Sequence, residues 1–438
     1  MTALKRFTAG LALVAATATI SAAENWPQWR GPGGQGISSE PALPTEWTPD
    51  KNIAWKTALP AGHSSPIIWG DRIFLTSAVE GAAVPGAKAV DHTVEGQAWI
   101  HPDSVAADKR HTLKVLALDA KTGKLLWDRT AYEGTVYDAR HRRSSFAGPT
   151  AVTDGKMVFA YFGPEGLYAY DFSGQLVWKA VERFKTLGLG TGTSPVLHQN
   201  LIIVQRDEDE GKESVIVAYD KQTGKEAWKT KRPVQITWST PALVEVQGRT
   251  EIVTNGSEFA IAYDPSTGKE LWRTTGVESN AVHTPLVGKG LVIMTAGYPA
   301  KKVIAIRPGA VAKEKRVAWE YAKGTGYVLS NILYGDYVYL LTDTGIVTCL
   351  DADTGSVKYE GGRPATPSRF MASPVAYGGL LAMTSEDGQT VMVKAGPAHA
   401  IVRTNSVDEP VYSSPAIANG RIYIRGEKHL FAIGSPLP

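Results

Sequence analysis

The sequence repeats one short pattern, in which an Ala-x-Asp tripeptide is followed by a Thr-Gly pair and then a tryptophan. The clearest copy occupies residues 117–127, and two further copies end at Trp228 and Trp272. In each of these copies the tryptophan follows the aspartate by eight residues. A repeat of this kind, with a period in the forties and strand-forming residues throughout, is typical of a radial array of small sheets.

A second marker, a small residue followed by proline, opens each unit and fixes the number of units. The prolines are Pro66, Pro149, Pro195, Pro241, Pro285, Pro374 and Pro415, and Asn331 stands in the place of an eighth. From Pro149 onwards the steps are 41 to 46 residues, which is close to the length of a four-stranded propeller blade. The first step is 83 residues, so the first unit contains an insertion. The sequence therefore predicts an all-β, eight-bladed β-propeller of four-stranded antiparallel blades.

The last unit ends after its third strand, near Ile433, while an unassigned strand that contains Trp55 lies at residues 52–57. We expect this N-terminal strand to complete the last blade, because joining the two ends removes the raw edges of the sheet. The propeller would then span residues 51–438. Residues 24–50, which are rich in Trp, Pro and Gly, are expected to form an irregular arm over it.

Residues 1–23 have the pattern of a secretory signal peptide. Lys5 and Arg6 precede an apolar run, and Ser21-Ala22-Ala23 fits a cleavage site. The alternative is a membrane anchor, but the run is short, and no other segment is apolar enough to span a bilayer. No cysteine follows the cleavage point for lipid attachment. We therefore expect a periplasmic or extracellular protein.

Composition excludes some classes of function. The net charge is only +3 and no stretch is strongly basic, so nucleic acid is not an expected partner. Cys349 is the single cysteine in the sequence, and it occupies the alanine position of the repeat. We interpret it as a small buried packing residue rather than as a nucleophile.

The Ala-x-Asp-x-x-Thr-Gly-x-x-x-Trp pattern resembles the pyrroloquinoline-quinone (PQQ) repeat over roughly residues 50–434. That family includes the quinoprotein alcohol dehydrogenases, and it also includes non-enzymatic propellers such as the lipoprotein scaffold of outer-membrane β-barrel assembly. The resemblance implies that the tryptophan of each copy docks against the neighbouring blade. The Trp-Pro-Gln-Trp-Arg-Gly-Pro opening of residues 26–32 resembles a secreted bacterial subgroup.

The sequence departs from both of those relatives. It lacks the adjacent cysteine pair of the dehydrogenases, and the segments that lead into the first strands contain few acidic residues to hold calcium. It also lacks the lipidated cysteine of the assembly scaffold. PQQ with calcium is therefore kept only as an alternative cofactor, and no catalytic residue is assigned.

Strand alternation places the irregular loops on one side of the ring, which we call the upper face. It is the side on which the chain leads into the first strand of each blade. Ten side chains on these loops are expected to point toward the central channel: His63, His141, Arg142, Arg143, Thr191, Trp238, His283, Tyr327, Arg369 and Tyr412. From this set we predict ligand contacts from His63, Arg142, Arg143, Trp238, His283, Arg369 and Tyr412. A cationic and aromatic ring of this kind suits a carboxylate-bearing or sugar-like ligand.

Two other groups of polar residues lie in the upper-face loops. His92 and His101, in the insertion, lack the close spacing of zinc ligands. The acidic run at residues 207–210 is more typical of a solvated loop than of a calcium site. No metal ligand is therefore assigned.

The sequence favours a secreted or periplasmic propeller that binds a protein, or a small anionic or carbohydrate ligand, through its upper face. The alternative is a PQQ-dependent quinoprotein oxidoreductase of the alcohol dehydrogenase type. A third class, a carbohydrate-active enzyme on the same fold, stays open because fold does not determine function.

Overall fold

The computed structural model describes residues 24–41, 43–310, 312 and 315–437. The predicted signal peptide at residues 1–23 lies outside this range. Within this range the regular secondary structure is almost entirely β, with short 3-10 turns at Pro32–Gly34 and Gly163–Glu165. None of the described segments forms a helix of the length and apolar character needed to cross a membrane.

Eight four-stranded antiparallel sheets form the predicted eight blades, which confirms the fold class. Blade one comprises β2 (Ile67–Trp69), β3 (Arg72–Ala83), β7 (Lys109–Asp119) and β8 (Leu125–Thr135), and blade two comprises β10 (Val152–Thr153), β11 (Met157–Tyr161), β12 (Leu167–Asp171) and β13 (Leu176–Ala180). Blade three comprises β14 (Val196–His198), β15 (Leu201–Arg206), β16 (Val215–Asp220) and β17 (Glu226–Lys231), and blade four comprises β18 (Ala242–Val246), β19 (Arg249–Thr254), β20 (Phe259–Tyr263) and β21 (Glu270–Thr275).

Blades five to eight follow the same order from the inner to the outer strand. Blade five comprises β22 (Leu286–Gly288), β23 (Leu291–Ala296), β24 (Lys302–Ile306) and β25 (Val317–Tyr321), and blade six comprises β26 (Ile332–Tyr334), β27 (Tyr337–Leu341), β28 (Val347–Asp351) and β29 (Val357–Gly362). Blade seven comprises β30 (Val375–Tyr377), β31 (Leu380–Thr384), β32 (Gln389–Lys394) and β33 (Ile401–Ser406), and blade eight comprises β34 (Ala416–Ala418), β35 (Arg421–Arg425), β36 (His429–Ile433) and β1 (Ile53–Ala58).

The N-terminal strand closes the ring, as predicted. β1 pairs with β36 in an antiparallel register that sets Ile53 opposite Ile433 and Thr57 opposite Leu430. Trp55 then occupies the same position in blade eight that the repeat tryptophans occupy elsewhere. Its indole Nε1 donates to the carbonyl of Ala120 in blade one, just as Trp127 and Trp178 donate to the blade that follows theirs.

The Asp and Thr of the repeat form the turn between the third and fourth strands. In blade one the carboxylate of Asp119 accepts hydrogen bonds from both the amide and the hydroxyl of Thr122, each at 2.7 Å. The same pair of bonds joins Asp220 to Thr223 in blade three. These bonds satisfy amides that a tight turn would otherwise leave unpaired, which accounts for both residue types.

The tryptophan and the glycine of the repeat meet between blades. Trp178 of blade two donates from Nε1 to the carbonyl of Lys221 in blade three at 2.8 Å. Its ring lies against Gly224, where a Cβ would come within 2.5 Å of Cε3. Gly224 also has φ +70°, so this position excludes other side chains both by conformation and by space.

Cys349 is fully buried, and burial raises the pKa of its thiol to about 12. It lies on β28 opposite Tyr339 of the preceding strand β27, inside the hydrophobic cluster between blades six and seven. A protonated, enclosed thiol of this kind acts as a small packing group.

Residues 26–36 of the N-terminal arm lie inside the ring, whereas Thr45 and Trp47 bond to Asn405 on the outer strand of blade seven. Backbone bonds join Trp26 to Ile68 of blade one, Pro27 to Thr153 of blade two and Gly36 to Ala376 of blade seven. Because the inner strands surround the axis, a segment that touches several of them on different sides must occupy the channel.

Candidate functional site

The upper end of the channel is a cavity of about 640 Å³ at the centre of the predicted upper face. The arm closes it from below, because Trp29 lines the cavity and donates from Nε1 to Thr284 Oγ1 at 2.9 Å. The result is a cup with one open end, in the size range of sites for small molecules.

A belt of hydroxyl groups joins the blades around the cup. In six places the amide at the start of one blade donates, at 2.9–3.0 Å, to a Ser or Thr hydroxyl of the next. The pairs are Ser65 to Thr150, Thr150 to Ser194, Ser194 to Thr240, Thr284 to Ser330, Ser330 to Ser373 and Ser373 to Ser414.

The belt explains why a small residue precedes proline in the repeat. Five of its acceptor hydroxyls also line the cavity: Ser194, Thr240, Ser330, Ser373 and Ser414. Their oxygens already accept an N–H, and their own O–H groups have no acceptor within the described part of the chain. The cup therefore offers donors to a ligand.

Aromatic rings form the floor and part of the wall. Trp29 lies at the floor, and Trp238 is held by a bond from Nε1 to the carbonyl of Gly190 at 3.0 Å. On the other side His63 stacks on Tyr412, with ring centroids 4.8 Å apart. Burial, together with nearby arginines, lowers the pKa of His63 to about 4, so its ring is neutral at neutral pH.

The two adjacent arginines point to different partners. Arg142 is mostly exposed, and its Nε lies 3.1 Å from Asp103 of the insertion. Arg143 reaches Glu386 of blade seven, and its Nη2 lies 2.6 and 2.7 Å from the two carboxylate oxygens. Arg369, on the same rim, is exposed and forms no ion pair with any described residue.

Two further arginines are buried around the cup without a carboxylate partner among the described residues. Arg30 of the arm donates to the carbonyls of Ser330 and Asn331. Arg425 of blade eight donates to the carbonyl and the hydroxyl of Ser64, next to His63. Burial lowers the pKa of each guanidinium to about 9, which still leaves both charged at neutral pH.

Six of the seven predicted contact residues line the cavity, and His283 does not. The ring of His283 is fully buried; its Nδ1 lies 2.6 Å from the hydroxyl of Thr295, and its Nε2 lies 3.1 Å from the carbonyl of Tyr327. Burial lowers its pKa to about 4. His283 therefore supports the wall from behind, and contact of the other six with a ligand stays a prediction.

The insertion in blade one forms the wall on the side of Asp103. It contains the hairpin of β4 (His92–Val94) and β5 (Gln97–Trp99), and β6 (Ser104–Val105) pairs with β9 (Arg140–His141). His92 is buried between two carboxylates, 2.9 Å from Asp138 and 2.8 Å from Asp209.

The acidic run at residues 207–210 is structural. Asp207 forms a fully buried ion pair with Arg232, and Glu210 accepts a hydrogen bond from the amide of Gly96 in the insertion. The Gly96–Glu210 bond and the contact of His92 with Asp209 fasten the insertion to blade three, whereas the Asp207–Arg232 pair lies within blade three. His101 is half-buried, with its ring centroid 6.1 Å from that of His141.

The residues present do not fit PQQ with a divalent metal. The cavity acids are Asp103, Asp343 and Glu386, and two of them are already paired with arginines. Nowhere in the described ranges do three His, Cys, Asp or Glu side chains come together as a metal site would require. We derive no step through the quinone.

Several residues of the cup were not predicted from the sequence. The hydroxyl belt had a signal, because six of the seven residues that precede the marker prolines are Ser or Thr. No sequence pattern predicted the other four, because each lies in an irregular segment and contacts partners that are distant in sequence. They are Trp29, Arg30, Asp103 and Glu386.

Comparison with known proteins supports the fold. A family model described as outer membrane protein assembly factor BamB matches residues 212–373. The crystal structure of BamB from Moraxella catarrhalis has a TM-score of 0.55 at 14% identity, with 81% of this chain and 97% of that chain covered. No protein of curated function matches the sequence significantly.

An enzyme and a designed protein share the same architecture. Quinohemoprotein alcohol dehydrogenase from Comamonas testosteroni has a TM-score of 0.62 at 12% identity, with 94% and 81% coverage. The computationally designed Ika8 protein has a TM-score of 0.55 at 11% identity, with 91% and 99% coverage. At such identities the similarity establishes the fold alone.

Proposed function

We propose that this chain, a β-propeller of PQQ-like repeats, is a binding module that holds a small hydroxyl-rich carboxylate, such as a sugar acid, in the cup of its upper face. The observation that carries the proposal is the surplus of donors in the cup. The belt presents O–H groups whose oxygens are already occupied, while Asp103 and Glu386 are paired with arginines. An oxygen-rich anion supplies the acceptors that these donors lack.

The charge around the cup supports an anion over a neutral sugar. Arg30 and Arg425 lie buried below and beside it with only neutral acceptors, and Arg369 stands unpaired, within the described structure, on the rim. Fixed cations in a low-dielectric wall create a positive potential inside a concave site.

The aromatic surfaces support a ring-shaped ligand. Trp29 at the floor and Trp238 in the wall offer flat apolar faces beside polar groups. A sugar ring can stack on such a face while its hydroxyl groups bond to the belt. A cavity of about 640 Å³ admits a mono- or disaccharide more readily than a folded partner.

The proposed place of action is the periplasm or the extracellular space. The charge and apolar pattern of residues 1–23 supports export, and cleavage after Ala23 would leave Glu24 at the N terminus. N-terminal sequencing of the exported protein tests this part separately.

Calorimetric titration with D-glucuronate tests the proposal, with D-glucose as the neutral control and PQQ with calcium as the competing ligand. We expect glucuronate to bind with a Kd on the order of 1 mM or tighter, as for other ligands of this size. Glucose should bind more weakly. Binding of PQQ with calcium but not of glucuronate would refute the proposal in favour of the quinoprotein alternative.

Arg369→Gln gives the matched test. Because this side chain is exposed and has no ion-pair partner in the described residues, its loss should leave stability unchanged. We expect it to weaken glucuronate binding about tenfold by removing a charge-assisted hydrogen bond. Arg110→Gln is the control, since it removes the same charge from a surface pair with Glu133 outside the cavity.

A further inference from the structure

The ion pair between Arg143 and Glu386 crosses the mouth of the cup. Arg143 lies in the loop that leads into blade two, and Glu386 lies between β31 and β32 of blade seven. Blades one and eight separate them around the ring, and the stacked His63 and Tyr412 come from those two blades. The pair therefore joins blades that are not neighbours.

This bridge occupies the part of the guanidinium that a ligand carboxylate would need. Both oxygens of Glu386 lie on the same nitrogen, Nη2, at 2.6 and 2.7 Å. A guanidinium can hold a carboxylate with two parallel bonds along either of two edges, Nε with Nη2 or Nη1 with Nη2. Both edges include Nη2, so a ligand carboxylate that forms a bidentate pair with Arg143 must either share this nitrogen with Glu386 or displace Glu386 from it.

The pair is also exposed to the space in which a ligand would lie. Both side chains line the cavity, and Arg143 is 38% exposed while Glu386 is 17% exposed. Arg142 differs, because its ion pair is with Asp103 of the insertion. Of the two adjacent arginines, only Arg143 is held across the opening.

We propose that Glu386 is an internal competitor for the carboxylate of the ligand. This inference rests on the proposed function. In the free protein Glu386 neutralises Arg143 and spans the mouth, and a bound carboxylate takes its place on Nη2. The exchange replaces one ion pair with another, so Arg143 contributes to the choice of an anionic ligand while Glu386 reduces the affinity.

Glu386→Gln tests the exchange. The amide keeps the shape of the side chain but loses the charge, so we expect glucuronate to bind about fivefold more tightly, the value of a modest ion pair. The affinity for glucose should not change, because glucose has no carboxylate to exchange. Arg143→Gln should weaken glucuronate binding and remove the effect of Glu386→Gln in the double variant.

Glu133→Gln is the charge-matched control. It removes one negative charge from the exposed pair with Arg110, away from the cavity, and should leave glucuronate affinity as in the wild type. If Glu386→Gln were to destabilise the fold, Glu386→Asp keeps the charge but shortens the reach, and should give a smaller gain in the same direction.

The outcomes separate the two proposals. Tighter glucuronate binding in Glu386→Gln, with unchanged glucose binding, supports the exchange. If the wild type binds glucuronate and Glu386→Gln binds it equally well or more weakly, the exchange is overturned and the proposed function stands. If neither the wild type nor Glu386→Gln binds glucuronate, the proposed function fails and the exchange fails with it.

Discussion

Substitutions at Trp178 and Gly224 test whether the contact between the repeat tryptophan and the repeat glycine stabilises the packing of neighbouring blades. Trp178 is 8% exposed, and its Nε1 bonds to blade three. Its replacement by alanine should cost about 3–5 kcal/mol of unfolding free energy, as for other large aromatic residues in cores. Gly224→Ala should cost about 1–2 kcal/mol for the left-handed backbone. A further cost of about 1–3 kcal/mol should come from the overlap with the indole.

The two changes should not be additive. Removing the indole opens space for the new Cβ, so the double variant should be more stable than the sum of the single costs predicts, by about 1–3 kcal/mol. Gly290→Ala is the matched control, because Gly290 has φ +71° but nothing within 4 Å of the position of a Cβ. It should show the backbone cost alone.

Urea unfolding followed by far-UV circular dichroism measures all four variants without relying on tryptophan fluorescence. Additive costs in the cycle would refute the packing argument. So would a Gly224→Ala variant that is no less stable than Gly290→Ala, because the indole contact would then add nothing.

Three further predictions concern closure, the cysteine and pH. Deletion of residues 51–58 removes β1 and should yield aggregates on size-exclusion chromatography, because β36 becomes a raw edge; a well-behaved monomer would contradict the closure. Cys349→Ala should change stability by no more than about 1 kcal/mol in urea unfolding, and loss of the fold would argue against a simple packing role. Burial alone would lower the pKa of His92, but Asp138 and Asp209 raise it to about 9. The contribution of protonated His92 to the stability of the insertion should therefore be complete below pH 6.5 and be lost as the pH rises through 9. The protection of the insertion's amides from hydrogen exchange should accordingly be lower at pH 9.5 than at pH 6.5. Equal protection at both pH values would show that His92 does not anchor the insertion.

Much of the fold could be predicted from the sequence because each blade repeats the same local chemistry. The aspartate, threonine and glycine form one turn, and the tryptophan packs on the glycine of the next blade. The unassigned strand at Trp55 predicted the ring closure, because a three-stranded last blade and an unpaired strand can complete each other's backbone hydrogen bonds.

The arm and the charged pairs could not be predicted in this way. The arm has no periodic pattern, and its path is fixed by bonds such as that from Trp29 to Thr284, which are 255 residues apart. The bridge from Arg143 to Glu386 spans 243 residues. Strand alternation could place side chains on the upper face, but it could not show which carboxylates would neutralise them.

Strand alternation also could not separate the wall of the cup from its surface. Trp238 stands three residues before its marker proline, whereas His283 stands two before its own and is buried between Thr295 and Tyr327; Val282, the equivalent of Trp238, lines the cavity. The distance from the marker proline, which the sequence does contain, distinguishes the two positions.

A crystal structure of the protein soaked with D-glucuronate would show where the sugar acid binds. We expect electron density for the sugar in the cup above Trp29, with its carboxylate on Arg143 or Arg369 and its hydroxyl groups within hydrogen-bonding distance of the belt. Density for the sugar at the Thr-Gly turns of the lower face, or an empty cup in crystals whose protein binds glucuronate in solution, would contradict it.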